Sequence, residues 1–149
     1  MKTRSLLTTF FLCCFMCVSY AQVAEKDESF KTMILATDKD VVFDHTIDYL
    51  RSKDFFIQSV DKSAGFIQAK IFLKDKKLLS SKSGERITVD FILRQRENET
   101  KVVLDIYSEE LSTSWSKEMD VSYYKDKGIV QDESLYRSML NGLEKVIQQ

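Results

Sequence analysis

The single histidine of this 149-residue chain lies in Asp44-His45-x-x-Asp48. On a helix, His45 and Asp48 stand one turn apart and could share a cation with Asp44. Two or three weak ligands on a solvated face do not close a metal site, so neither a metal nor a cofactor is expected. A Ser-His-Asp centre would need a serine presented on a Gly-x-Ser-x-Gly elbow, which is absent. Ser59-Val60-Asp61-Lys62 and Ser114-Trp115-Ser116-Lys117 each place a lysine where it could activate a serine. Neither Lys-Thr-Gly nor Ser-Asp-Asn accompanies them to complete such a centre. The phosphate-cradling patterns Gly-x-x-x-x-Gly-Lys and Gly-x-Gly-x-x-Gly are also missing, which removes nucleotide binding by those devices. Asp90 and Asp105 fall on the outward faces of two strands expected to pair, where carboxylates can approach as an acid/base couple. Arg86, Thr88, Arg94 and Lys101 around them fit cross-strand charge pairing better. No enzymatic activity is expected, a small hydrolase being the least favoured alternative.

Two segments suit binding instead. Lys70, Lys74, Lys76, Lys77, Lys82 and Arg86 face only Asp75 and Glu85, a local excess of four positive charges. Lys74, Lys76 and Lys77 at its centre could meet an anionic surface or an acidic partner, or keep a strand edge soluble. Trp115, Tyr123 and Tyr124 stand in an aperiodic stretch from Leu111 to Gln131, and aromatic loops of this kind form pocket rims and recognition surfaces. The expected partner is an envelope protein, with a small apolar ligand held between sheet and helices as the alternative. Asn98-Glu99-Thr100 is a glycosylation sequon on a turn, meaningful only in a eukaryotic source.

Lys2 and Arg4 precede an apolar run from Leu6 to Val18, and Ser19-Tyr20-Ala21 places small residues where a signal peptidase reads. Residues 1–21 are therefore expected to be a secretory signal peptide cut after Ala21, leaving a periplasmic or secreted chain without a transmembrane segment. Cys13, Cys14 and Cys17 all lie inside that segment. Without them the domain has no disulfide framework, no thiolate metal ligand and no cysteine nucleophile. Lys2 and Arg4 leave too, taking the 22 basic residues to 20 against 23 acidic ones and the net charge to −3. An acidic chain is a poor match for nucleic acid. The sequence has no proline, so its turns must be made by Gly, Asn, Asp and Ser.

The elements that must position these residues follow from periodicity. After a polar lead at residues 22–29, one domain is expected over residues 30–149. Phe30 to Ala36 reads as a strand. Thr37 or Asp38 caps a helix from Asp40 to Lys53, with Val42, Phe43, Thr46, Ile47, Tyr49 and Leu50 on one arc. Phe55 to Val60 and Phe66 to Leu73 form a hairpin across Asp61 to Gly65. Lys74 to Gly84 is expected to be an exposed connection or a frayed strand end. Arg86 to Arg96 and Val102 to Tyr107 form a second hairpin, with Ile87, Val89, Phe91, Leu93, Val102, Leu104 and Ile106 inward. Asp132 caps a closing helix carrying Leu135, Tyr136, Met139, Leu140, Leu143, Val146 and Ile147. The order β-α-β-β-β-β-α predicts an α+β fold: an antiparallel sheet of four to five strands with both helices packed on one face.

The helix ending in Tyr49-Leu50, then Lys53-Asp54-Phe55-Phe56-Ile57, Asp61 and Gly65-Phe66-Ile67-Gln68-Ala69, with the closing Asp132-Glu133-Ser134-Leu135-Tyr136, resembles small exported bacterial proteins of unknown function, of a Bacteroidetes type. It is similar, more distantly, to the α+β repeats of the outer-membrane assembly lipoprotein C. The resemblance spans about Phe30 to Val146 and implies a Gram-negative envelope location. Its motifs determine the fold and carry no catalytic signature. The lipoprotein members have an acylated cysteine that this chain lacks.

Overall fold

A computed structural model describes residues 29–74, 82–115 and 120–148. The signal segment, residues 22–28 of the polar lead, Lys76 and Lys77 lie outside the described residues. A single 3-10 turn, Ser29–Lys31, leads into β1 (Thr32–Leu35), so the first strand is shorter than the expected Phe30 to Ala36. Helix α1 (Lys39–Ser52) follows, then β2 (Phe56–Asp61), β3 (Phe66–Lys74), β4 (Lys82–Arg96), β5 (Glu99–Trp115), β6 (Asp120–Ile129) and α2 (Glu133–Ile147).

Both helices begin where the sequence places a cap. The Asp38 carboxylate accepts from the Asp40 amide at 2.8 Å, and Asp132 accepts from the Ser134 amide at 2.9 Å. Each satisfies an amide that the first helical turn leaves without an intrahelical acceptor. The Ser134 hydroxyl and amide together hold the Asp132 carboxyl below the usual carboxylate range. Helix α1 buries Val42, Phe43, Thr46, Tyr49 and Leu50, and α2 buries Tyr136, Met139, Leu140 and Leu143. The buried Thr46 hydroxyl is satisfied within its own helix, donating to the Val42 carbonyl at 2.7 Å. At Gly142 the helices approach so closely that a Cβ would lie 2.5 Å from the Tyr49 hydroxyl oxygen. The cost of glycine in a helix interior is accepted at this position for packing.

The sheet runs β1-β5-β4-β3-β2, with β6 also on β5, and every pairing is antiparallel. β1 and β2 sit at opposite ends of the order, so α1 carries the chain across the whole width of one face. Ile67, Ala69, Val89, Phe91, Leu93, Val102, Leu104 and Ile106 point to that face and form one buried cluster with the apolar sides of both helices. The fold class and the placement of both helices on one face are as the periodicity implied.

The strand count differs. Leu111 to Gln131, expected to be a long loop, instead extends β5 to Trp115 and returns as β6. The two strands are registered from Tyr107↔Ile129 to Trp115↔Asp120. Alternation is hidden there because this part of the sheet reaches past the helices, so neither face demands an apolar row. The ladder is interrupted between Ser108 and Glu109, leaving Lys127 as an extra residue beside Gly128 at φ +81°. This is the geometry of a β-bulge, which blurs a period-two pattern further. Leu73 is half exposed at the same overhanging end.

β5 serves two partners on one edge: β1 pairs with it through Val103 and β6 from Tyr107. Between them the Ile106 backbone would lack strand partners. The Val130 amide donates to the Ile106 carbonyl at 2.8 Å, and the Ile106 amide donates to the Tyr136 hydroxyl at 3.2 Å. That hydroxyl in turn donates to the Val130 carbonyl at 3.1 Å. The Tyr136 ring is fully buried, with Phe30 edge-on at 5.2 Å between centroids. Tyr136→Phe keeps the ring but strands the buried Ile106 amide, and the expected loss is about 1–3 kcal/mol in the denaturant-unfolding free energy. An unchanged midpoint would show that the hydroxyl is dispensable.

Candidate functional site on the open face of the sheet

The ladder that turns one set of alternating residues toward the helices turns the other set outward. The outward side chains form rows across the sheet, read from the register. Phe66, Ile92 and Val103 make one row, and Gln68, Asp90 and Asp105 the next. Then come Phe56, Lys70, Thr88, Tyr107 and Ile129, followed by Phe72, Arg86, Glu109 and Asp126. The middle rows floor a concave depression of about 420 Å³, which Gln58 also lines. This is within the size range of small-molecule sites.

Part of this surface is fixed by its own contacts. The Arg86 guanidinium donates twice to Glu109, Nε to Oε2 and Nη2 to Oε1, both at 2.6 Å. The carboxylate raises the Arg86 pKa, mainly through these hydrogen bonds. The same guanidinium lies 3.9 Å from the centroid of the Tyr124 ring, a cation–π contact of the kind arginine makes with aromatic faces. The hydrogen bond from Tyr107 to Asp126 raises the phenol pKa and keeps it protonated. Gln68 donates from Nε2 to Asp90 Oδ1 at 2.9 Å. Lys70 lies with its ammonium 5.6 Å from the Phe56 ring centroid.

The residues singled out from the sequence are dispersed by the fold. Tyr124 joins the open face over Arg86, whereas Tyr123, its neighbour on β6, points to the opposite side; both are about half exposed. Trp115 ends β5, its backbone paired with Asp120. Lys74 is exposed at the end of β3 opposite Gly84, in the row that ends at Tyr124. Asp90 and Asp105 are direct ladder partners, as their outward positions implied. The cross-strand charge pair beside them is Arg86 with Glu109; Arg94 is registered opposite Lys101, two like charges. Gln58, Gln68, Thr88 and Tyr107 were not selected as site residues, although the outward half of each alternation is the signal that contains three of them.

Asp44 pairs with Lys62 at 3.1 Å, so the lysine of the first Ser-x-x-Lys match is engaged with a carboxylate on α1. The second match runs into residues 116 and 117, outside the described residues. Among the described residues no three His, Cys, Asp or Glu side chains are grouped to hold a metal ion. Thr100 of the sequon is fully buried, its hydroxyl donating to the Thr37 carbonyl at 2.7 Å. An apolar ligand between sheet and helices would need space there, and that layer is occupied by Val42, Leu50, Ile67, Phe91 and Leu143, all fully buried. Both described depressions lie outside it, the second beside Ala36 and the β4–β5 turn. No described helix is long and apolar enough to cross a membrane.

No protein-family model matches the chain, and no curated protein matches it. Among solved structures it is similar to a DUF4468 family protein from Bacteroides ovatus, with 10% identity over 79% of this chain and 85% of that one and a TM-score of 0.44. At that level the similarity says nothing about what either chain binds.

Replacing Asp44, His45 and Asp48 together with alanine removes one exposed ion pair, and the expected loss of stability is within about 1 kcal/mol. A larger loss, or a melting temperature that responds to added zinc in the unaltered chain, would restore a metal role to this helix face.

Proposed function

We propose that the chain is an exported, non-enzymatic binding module of the bacterial cell envelope, released from its signal peptide after Ala21. It engages another envelope component through the open face of its sheet. The observation that carries this reading is the asymmetry of the sheet. One face is sealed by two helices, and the other presents a depression of about 420 Å³. Exposed aromatic rings stand beside the rows that floor it: Phe56 is 65% exposed, Phe72 45% and Tyr124 44%. Contiguous apolar surface around ordered polar groups is the pattern of recognition surfaces. Arg86 is held by Glu109 and Tyr107 by Asp126, which favours a preformed docking surface over a reactive centre. The signal-like first twenty-one residues support the envelope location.

The test is a photo-crosslinking amino acid at Thr88, in the centre of the open face, compared with the same group at Asp48 on the exposed side of α1. Crosslinks formed in intact cells to a discrete species from position 88, and not from position 48, are expected. Uncrosslinked chain at both positions, or the same products from both, would contradict the reading.

A further inference from the structure

From the depression on the open face we infer a carbohydrate-binding site, for a neutral oligosaccharide. The inference rests on the docking role proposed for that face and names its ligand. Four polar groups there have hydrogen-bonding capacity that the fold leaves unused. The side chains of Gln58, Thr88 and Asp105 line the depression with no hydrogen bond or ion pair to another described residue, and the Asp90 carboxylate receives one only from Gln68. Together they offer amide and hydroxyl donors beside amide, hydroxyl and carboxylate acceptors. A basic peptide would satisfy Asp90 and Asp105 and set its cationic groups against Lys70. An anion would satisfy Lys70 and be repelled by the two carboxylates. A polyol, in which every hydroxyl both donates and accepts, matches the mixed set without bringing a charge into it.

The apolar component fits the same ligand. Phe56 stands next to Lys70 in the ladder, and Phe72 next to Arg86. Both side chains are exposed beside the depression without lining it, and they offer apolar surface to the C–H face of a pyranose whose hydroxyls reach the polar row. Of the charged groups beside these rings, Arg86 next to Phe72 is engaged by Glu109 and Tyr124, and the Lys70 ammonium lies 5.6 Å from the Phe56 centroid. The register holds both components on one rigid layer, so little ordering accompanies binding.

The test is NMR titration of the purified protein with cellotetraose, maltotetraose, chitotetraose and mannotetraose, with an oligolysine peptide as the cationic control. Saturable shifts with at least one of the sugars are expected, confined to the outward rows of β3, β4 and β5. Asp105→Ala and Phe56→Ala should each weaken binding about tenfold, with the fold verified by an unchanged pattern of helix amide shifts. Raising salt from about 0.05 to 0.5 M should leave the affinity of a neutral ligand within about twofold. Absence of binding to all four sugars, or shifts lying elsewhere on the chain, would overturn the inference. Salt-sensitive binding of oligolysine at these same rows would overturn the ligand class alone, because crosslinking from position 88 would then still report a docking face.

Discussion

The antiparallel register between β4 and β5 is the constraint from which the rest of the molecule follows. It runs without interruption from Gly84↔Leu111 to Arg96↔Glu99. Because side chains alternate along each strand, a slip of β4 by one residue would turn its outward set, Thr88 and Asp90 among them, under the helices. Burying those groups without partners would cost far more than any one packing contact provides. Both the sealed core and the polar open face are therefore set by the same ladder, and neither can change alone.

Around that ladder, a few contacts close gaps that topology creates. β1 and β6 occupy one edge of β5 and leave Ile106 between them, where the Tyr136 hydroxyl and Val130 complete its hydrogen bonds. Gly65, at φ +67°, turns the β2–β3 hairpin so that its carbonyl accepts from the Leu93 amide at 2.7 Å. Thr100 fastens the start of β5 to the segment between β1 and α1. These contacts tie sequence-distant segments into one body whose outer layer is preorganised.

The core was legible because Ile87, Val89, Phe91 and Leu93, with Val102, Leu104 and Ile106, alternate where one side is sealed. The helix caps Asp38 and Asp132 were legible for a local reason, since capping needs only the residues that follow. β6 was not legible: Val121, Tyr123 and Tyr124 are all about half exposed, and without a buried face no alternation is selected. The site was only partly legible. Asp90, Asp105, Arg86 and Thr88 could be placed on outward positions, but joining Gln58, Gln68 and Lys70 to Tyr107 requires knowing which strands neighbour one another. Tyr123 and Tyr124 are adjacent in the sequence yet stand on opposite faces, because consecutive strand residues alternate.

The binding role proposed for this chain needs one face of the sheet sealed and the other rigid and exposed, and the most direct test is to probe two adjacent residues of β4. Single cysteines at Thr88 and Val89, in the chain whose own cysteines are confined to residues 13–17, can be labelled with a maleimide under native conditions and again in denaturant. Rapid native labelling at position 88, with position 89 protected until unfolding, is the result this account requires. Comparable labelling of both positions in the folded protein, or protection of 88 with exposure of 89, would contradict it.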